Sequence, residues 1–188
     1  MGRVDPIPPG EWPREMAGAV GPLRPPVPRE PSRPKGLNLL GLLAHHPPLT
    51  TAYHQLIGHL LYASTITSRQ RELLVLRVAA QRDATYEWEQ HAESAGDAGI
   101  TGIEVERIRA GPEAAGWSTL DAALLRAADE LLGAARIGHA TWAILAAEFE
   151  PQQLMDVVFT VGAYDLLAMA LRTFEVELDD DLGPQAST

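Results

Sequence analysis

An all-α fold is what this sequence predicts, on three observations. Alanine and leucine dominate the long periodic segments, where β-branched residues are sparse. Apolar residues recur at helical spacing from about Leu37 onward. Two capping signatures, Thr67-Ser68-Arg69-Gln70 and Thr101-Gly102-Ile103-Glu104, place a Gln or Glu where it can satisfy the free N–H groups of a first turn together with the Thr.

The elements follow in chain order. Residues 1–36 hold ten of the fifteen prolines, a density that blocks helix ladders and favours extended chain. This proline-rich arm is either a flexible tail or a strap over a neighbouring subunit, anchored by Ile7, Trp12, Met16 and Leu23. Order is expected from about Leu37, where Leu39, Leu40, Leu42 and Leu43 lead into a breaker, His45-His46-Pro47-Pro48. Residues 49–63 read as a helix with Tyr53, Leu56, Ile57, Leu60 and Leu61 inward. The first capping box starts a helix that runs to about Ala80. Asp83 is placed to cap the next, which runs to about Ala98 and stops at Gly99. The second capping box opens a short helix ended by Gly111-Pro112.

Residues 119–135 form an amphipathic helix with Leu124, Leu125, Ala128, Leu131 and Leu132 on the core side. A short helix over 139–148 turns Trp142 and Leu145 inward. Pro151 suits the first turn of a last, long helix through Leu154, Val157, Val158, Val161, Tyr164, Leu167, Ala168 and Leu171. That helix is apolar almost all round, as at a subunit interface. Glu175 to Asp181 reads as a solvated acidic end. The domain plan is an arm over 1–36, a helical domain over 37–178 and an acidic tail over 179–188.

Composition excludes several functions. The net charge is −10 and the pI near 5.0, a poor basis for binding nucleic acid. Lys35 is the sole lysine, which rules out a polybasic membrane patch. The chain has no cysteine, so disulfides, thiolate metal ligands and thiol nucleophiles are all unavailable. No apolar run approaches the roughly 20 residues needed to span a bilayer. Pro6, Pro8, Pro9 and Pro13 stand where a signal peptide would be apolar. A soluble, cytoplasmic protein with neither a nucleic-acid nor a membrane partner is expected.

The chemistry concentrates in Ala84-Thr85-Tyr86-Glu87-Trp88-Glu89-Gln90-His91. On a helix, Ala84, Glu87, Trp88 and His91 share one face, with Glu87 and His91 one turn apart. A carboxylate and an imidazole on an otherwise apolar face are candidates for proton transfer. The plainer alternative is a surface pair that adds a few tenths of a kcal/mol to the helix. Glu72, in the apolar run Glu72–Ala80, either favours the helix dipole or faces His91 and sets its tautomer. Tyr86, Trp88 and Arg77 are the candidate substrate contacts. Tyr86 also reads as a packing residue with a polar tip, and Arg77 as one that snorkels or pairs with a carboxylate. His45, His46, His54, His59 and His139 are scattered, and spacing supplies only two metal ligands, so no metal or other cofactor is expected. No phosphate loop, serine elbow or dinucleotide fingerprint is present.

Over about residues 37–178 the chain resembles the carboxymuconolactone decarboxylase family, which includes the alkyl hydroperoxidase D-like proteins. The resemblance rests on Leu39-Leu40-Gly41-Leu42-Leu43-Ala44-His45-His46-Pro47, Arg71-Glu72-Leu73-Leu74-Val75-Leu76-Arg77-Val78-Ala79 and Tyr86-Glu87-Trp88-Glu89-Gln90-His91. Leu124-Leu125-Arg126-Ala127-Ala128-Asp129-Glu130-Leu131 and Gly162-Ala163-Tyr164 extend it. The peroxidase branch has a Glu followed by Cys-x-x-Cys-x-x-x-His. Glu72 and His91 match its ends, whereas Ala84 and Glu87 stand in the cysteine positions. Thiol peroxidase activity is therefore not expected. The decarboxylase branch implies acid–base chemistry on a small, cyclic carboxylate without a cofactor. In that reading His91 delivers the proton, Glu72 orients it and Glu87 binds or relays. Two carboxylates suit an anionic substrate poorly unless Arg77 or another arginine compensates. The resemblance also implies a homo-oligomer (dimer, trimer or hexamer) with its pocket near a subunit boundary. The rival expectation is a non-catalytic oligomeric scaffold that kept the fold after losing its thiols.

Overall fold

The described residues form nine α-helices and no strand, as the sequence predicts. The computed structural model describes residues 2–25 and 36–179. The helices are α1 (Met16–Ala19), α2 (Leu37–Leu43), α3 (Pro47–Tyr62), α4 (Ser68–Gln81), α5 (Thr85–Ser94), α6 (Gly102–Ala110), α7 (Thr119–Ala134), α8 (His139–Glu148) and α9 (Pro151–Phe174). The chain divides into two compact units, Met1–Ala63 with Ala170–Thr188, and Ser64–Met169.

In the first unit, packing begins well before Leu37. Met16 and Ala19 are fully buried with Ala44, and Ile7, Trp12 and Val20 pack against them. The indole of Trp12 donates to the Ile7 carbonyl at 2.7 Å, and the Tyr62 hydroxyl to the Leu23 carbonyl at 2.7 Å. The anchors named from the sequence thus fasten this part of the arm to helices of its own chain; its prolines beyond Pro25 lie outside the described residues. His54 of α3 meets the Ala19 carbonyl through Nδ1 at 2.9 Å. Burial lowers the pKa of this ring against the opposing pull of that bond, so it is a satisfied core histidine.

Two glycines make the close approach possible. A Cβ on Gly58 of α3 would lie 2.5 Å from the Pro22 carbonyl oxygen, and one on Gly41 of α2 2.7 Å from that of Ile7. Both obstacles are backbone and cannot swing aside. Gly58→Ala is expected to destabilise the protein by about 1–3 kcal/mol, read as a lower denaturant midpoint.

The His45-His46-Pro47-Pro48 breaker is also a start. His46 caps α3 by accepting from the Leu49 N–H, and Pro47 takes the first helical position, where a missing N–H costs nothing. The acidic end is docked as far as Asp179. That carboxylate, 6% exposed, accepts from the N–H groups of Gly36 and Asn38 at 2.8 Å each and so caps α2. The expectation of a solvated tail from Glu175 does not hold here, because the first turn of α2 lacks any other side-chain cap. Residues 180–188 lie outside the described residues.

In the second unit, α4 is the central element and packs against α5, α6 and α7, with α8 on α7. Leu73, Leu74, Val75, Leu76 and Val78 are completely buried. Both predicted capping boxes form. Arg69 of α4 pairs with Glu104 of α6 and Asp121 of α7, and its hydrogen bond holds the Glu104 carboxyl at a pKa of about 2.

Three local expectations change. Asp83 lies at φ +49° and does not cap α5, whose N-cap is Ala84 with no side-chain bond. That helix ends at Ser94 and tightens into a 3₁₀ turn, Ala95–Ala98, closed by Gly99 at φ +76°. Trp142 is 45% exposed. Glu130 of α7 accepts from the Gly138 N–H and the Thr141 hydroxyl, which fixes the rotation of α8. Thr141 and Leu145, one turn apart, then face inward and Trp142 is turned out.

The 24-residue α9 is long and apolar enough to cross a membrane by length and composition, contrary to the expectation that no apolar run approaches that length. It nevertheless carries the buried stripe of a core helix, Val157, Val161, Tyr164 and Ala168, together with buried Asp156 and Thr160. Asp156 accepts from the backbone and hydroxyl of Thr65 ahead of α4. Val158, expected inward, is 38% exposed on the opposite face.

Candidate acid–base site

Glu72 is held on α4 among fully buried leucines and is itself 6% exposed. On α5 the one-turn spacing puts Glu87 and His91 on a single face. The structure brings the first and last of these together: His91 Nδ1 lies 2.6 Å from Glu72 Oε2. An ionised carboxylate only accepts, so Nδ1 carries the hydrogen and Nε2 is left for exchange. From α9, the Tyr164 ring meets His91 edge-on, with centroids 5.4 Å apart at 81°. Burial pushes the Glu72 carboxyl up; the charge and hydrogen bond of His91, joined by Arg71, outweigh it and hold the group below the usual range. Arg71 Nε reaches Glu72 Oε1 at 3.4 Å.

Glu87 has the opposite environment. It is 2% exposed, and neither carboxylate oxygen has a hydrogen-bond partner among the described residues. Burial first, and then the nearby Asp165, drive its pKa well above the ordinary range. Asp165 is in turn fixed by Arg82, at 2.6 and 3.1 Å. Glu72, bonded to His91, and Glu87, one turn before His91 on α5, are therefore pushed apart in pKa, the pattern by which acid and base roles separate.

Charge is balanced locally. Arg71 answers Glu72 and Arg82 answers Asp165, while Glu87 favours its neutral form. The sequence sought compensation in Arg77 or another arginine, and the arginines beside these carboxylates are Arg71 and Arg82. Arg77 is buried and donates to both oxygens of Asp129 on α7, at 2.6 and 2.9 Å, and to the carbonyls of Ile108 and Arg109. With its fork turned to those acceptors it acts as a clamp between α4, α6 and α7, the pairing with a carboxylate that the sequence also offered. Arg77→Met should cost about 3–5 kcal/mol of stability by stranding Asp129, with no change in substrate KM. Chemical denaturation and steady-state kinetics separate the two effects.

Tyr86 and Trp88 are both buried. The Arg109 guanidinium lies 4.0 Å above the Trp88 ring. With Ala84, Thr85 and Arg109, Trp88 lines a pocket of about 110 Å³; a larger one, about 210 Å³, lies in the first unit between Gly2, Asn38 and Glu175. Neither of these two pockets is lined by Glu72, Glu87 or His91. Among the described residues, no group of three or more acidic or histidine side chains is placed to hold a metal ion.

Sequence reasoning missed four neighbours. Arg71 was visible beside Glu72 but carried no spacing signal. Tyr164 read only as core. Arg82 and Asp165 are 83 positions apart, and nothing local to either points to the other.

Comparison with known proteins agrees with the resemblance read from the sequence. Residues 47–130 match the model of the Carboxymuconolactone decarboxylase family. The fold is that of alkylhydroperoxidase AhpD-like structures. An AhpD-core, peroxidase-related protein from Ralstonia eutropha aligns with a TM-score of 0.79 at 17% identity, over 96% of this chain and 94% of its own. A protein of unknown function from Agrobacterium tumefaciens, linked by its description to AhpD antioxidant defence, aligns at 0.68 and 16%, over 73% and 95%. A peroxidase-related protein from Silicibacter aligns at 0.69 and 15%, over 78% of each chain. At such identities the likeness speaks for the fold alone. No curated protein sequence matches this chain.

Proposed function

We propose that this chain, whose central segment carries the carboxymuconolactone decarboxylase family's pattern, is a cofactor-independent acid–base enzyme. Its substrate is a small, cyclic carboxylate or related metabolite, and the reaction a decarboxylation or isomerisation. The single observation that carries the proposal is the 2.6 Å Glu72–His91 bond with the unpaired Glu87 carboxyl one turn away. Glu72 fixes the ring through its Nδ1 and leaves Nε2 to face the reacting carbon. In a decarboxylation, the carbon–carbon bond breaks, CO₂ leaves, and the electron pair passes into a conjugated carbonyl as an enolate. The Nε2–H of protonated His91 then gives its proton to carbon, and the ring is recharged from solvent or from the Glu87 acid. Isomerisation uses the same groups, with a proton removed at one carbon and returned at another. The protein acts as a homo-oligomer in the cytoplasm.

The test is turnover of a panel of small β-keto and β,γ-unsaturated ring acids in D₂O. Product carrying one deuterium at the reacting carbon, formed by the wild type and not by His91→Gln, is the expected result. Turnover untouched by that substitution would overturn the assignment. Although two of the structural neighbours are described as peroxidase-related, this chain has no thiol to cycle. No dithiol-dependent consumption of alkyl hydroperoxide is expected from the purified protein in a coupled assay.

A second reading is a non-catalytic oligomeric scaffold. The observation in its favour is that neither of the two pockets described above reaches the Glu72–His91 pair. Absence of turnover across the panel, with no saturable binding of any member, would favour it.

A further inference from the structure

The outward face of α9 is symmetric about Gly162 at two pairs of positions. Met155 (59% exposed), Val158, Phe159 (52%), Leu166 (55%) and Met169 (53%) stand on it around exposed Gly162. Counted from Gly162, methionines lie seven residues before and after, and branched aliphatic residues four before and after. All fall within one stripe of the helix surface at 100° per residue. This face lies opposite the side that buries Tyr164.

We infer that α9 pairs with α9 of a second copy, antiparallel, about a two-fold axis through Gly162. The inference gives a surface to the homo-oligomer proposed above and does not depend on the chemistry of the site. A two-fold interface must be self-complementary, each residue facing its mirror position. Here that sets Met155 against Met169, Val158 against Leu166, and Gly162 against itself. The axis is where the helices come closest. A Cβ built on Gly162 meets nothing within 4 Å in its own chain, so the gap there is free for the facing helix. Phe159 has no apolar mirror; its opposite position is the partner's Asp165, the carboxylate that Arg82 neutralises. The five side chains expose roughly 500 Å² of apolar surface per copy, so the pair reaches the order of 1,000 Å² that a specific interface needs. A face recognising some other protein would have no reason to carry this symmetry.

The chain has no cysteine, which makes a single introduced thiol an unambiguous reporter. Under mild oxidation, Gly162→Cys is expected to form a disulfide-linked dimer. Ile103→Cys, on α6 and 72% exposed, is expected to remain uncrosslinked at the same concentration. In sedimentation equilibrium, Leu166→Glu is expected to weaken association at least a hundredfold, with its helical circular dichroism unchanged. A wild-type monomer at all concentrations would overturn the inference. So would an oligomer whose Gly162→Cys variant crosslinks no better than the Ile103→Cys control, or one unaffected by Leu166→Glu. Crosslinking and sedimentation read the association alone; turnover is read separately by the deuterium experiment.

Discussion

His91→Gln is expected to lower turnover by about 10²–10⁴-fold while leaving the helical fold intact, since the proposed mechanism delivers the proton to carbon from this ring. The size follows from what the ring contributes. A glutamine fills similar space and can still donate to Glu72 but cannot transfer a proton near neutral pH. Glu72→Gln should cost less, about 10–100-fold, because it leaves the ring present and removes only the carboxylate that orients it. The two losses should not add, as both act through one pair whose atoms lie 2.6 Å apart. The double variant should be close to His91→Gln alone. Stopped-time product analysis with the best panel substrate, alongside thermal melts, checks all three.

Glu87 is expected to trade stability for function. Burial and Asp165 raise its folded-state pKa well above the unfolded value of about 4.3. Below that unfolded value both states hold the proton and nothing is lost. As the pH rises past it, the unfolded chain ionises while folded Glu87 stays neutral. Folding then loses about 1.4 kcal/mol per pH unit until the folded pKa is passed. The protein should therefore lose stability as pH rises from about 4 through the raised pKa, apart from contributions of other groups. Glu72 works in the other direction. Its depressed pKa contributes stability above the unfolded value, and this is lost as the pH falls through the folded one. Glu87→Gln should flatten the alkaline decline. Glu87→Met, which also removes the unpaired oxygens, should raise stability at neutral pH by about 1–3 kcal/mol. Both should impair turnover. Urea midpoints across pH 4–9, compared between variants, measure the effect.

The helices were legible because their signals are local. Capping boxes at Thr67 and Thr101, glycines at 99 and 111 and Pro151 each report on their own turn. Glu87 and His91 were legible for the same reason, being one turn apart. What was not legible depends on partners far away in sequence. Trp142 follows the rotation that Glu130 imposes on α8, and Arg77 follows Asp129, 52 positions on. Asp179 looked like tail because its acceptor role belongs to α2, 141 positions earlier. The stretch around Trp12 looked like a loose arm because its proline content masks the small contacts at Gly41 and Gly58 that seat it.

The central claim is that a neutral carboxylic acid and a carboxylate-held imidazole share one water-poor site, and carbon-13 NMR of the Glu87 side-chain carboxyl addresses it without any substrate. Assigned by its loss in Glu87→Gln, the signal should keep the chemical shift of a protonated acid at pH values where an ordinary glutamate has already ionised, and move only at higher pH. A carboxyl that ionises in the ordinary glutamate range would contradict the account.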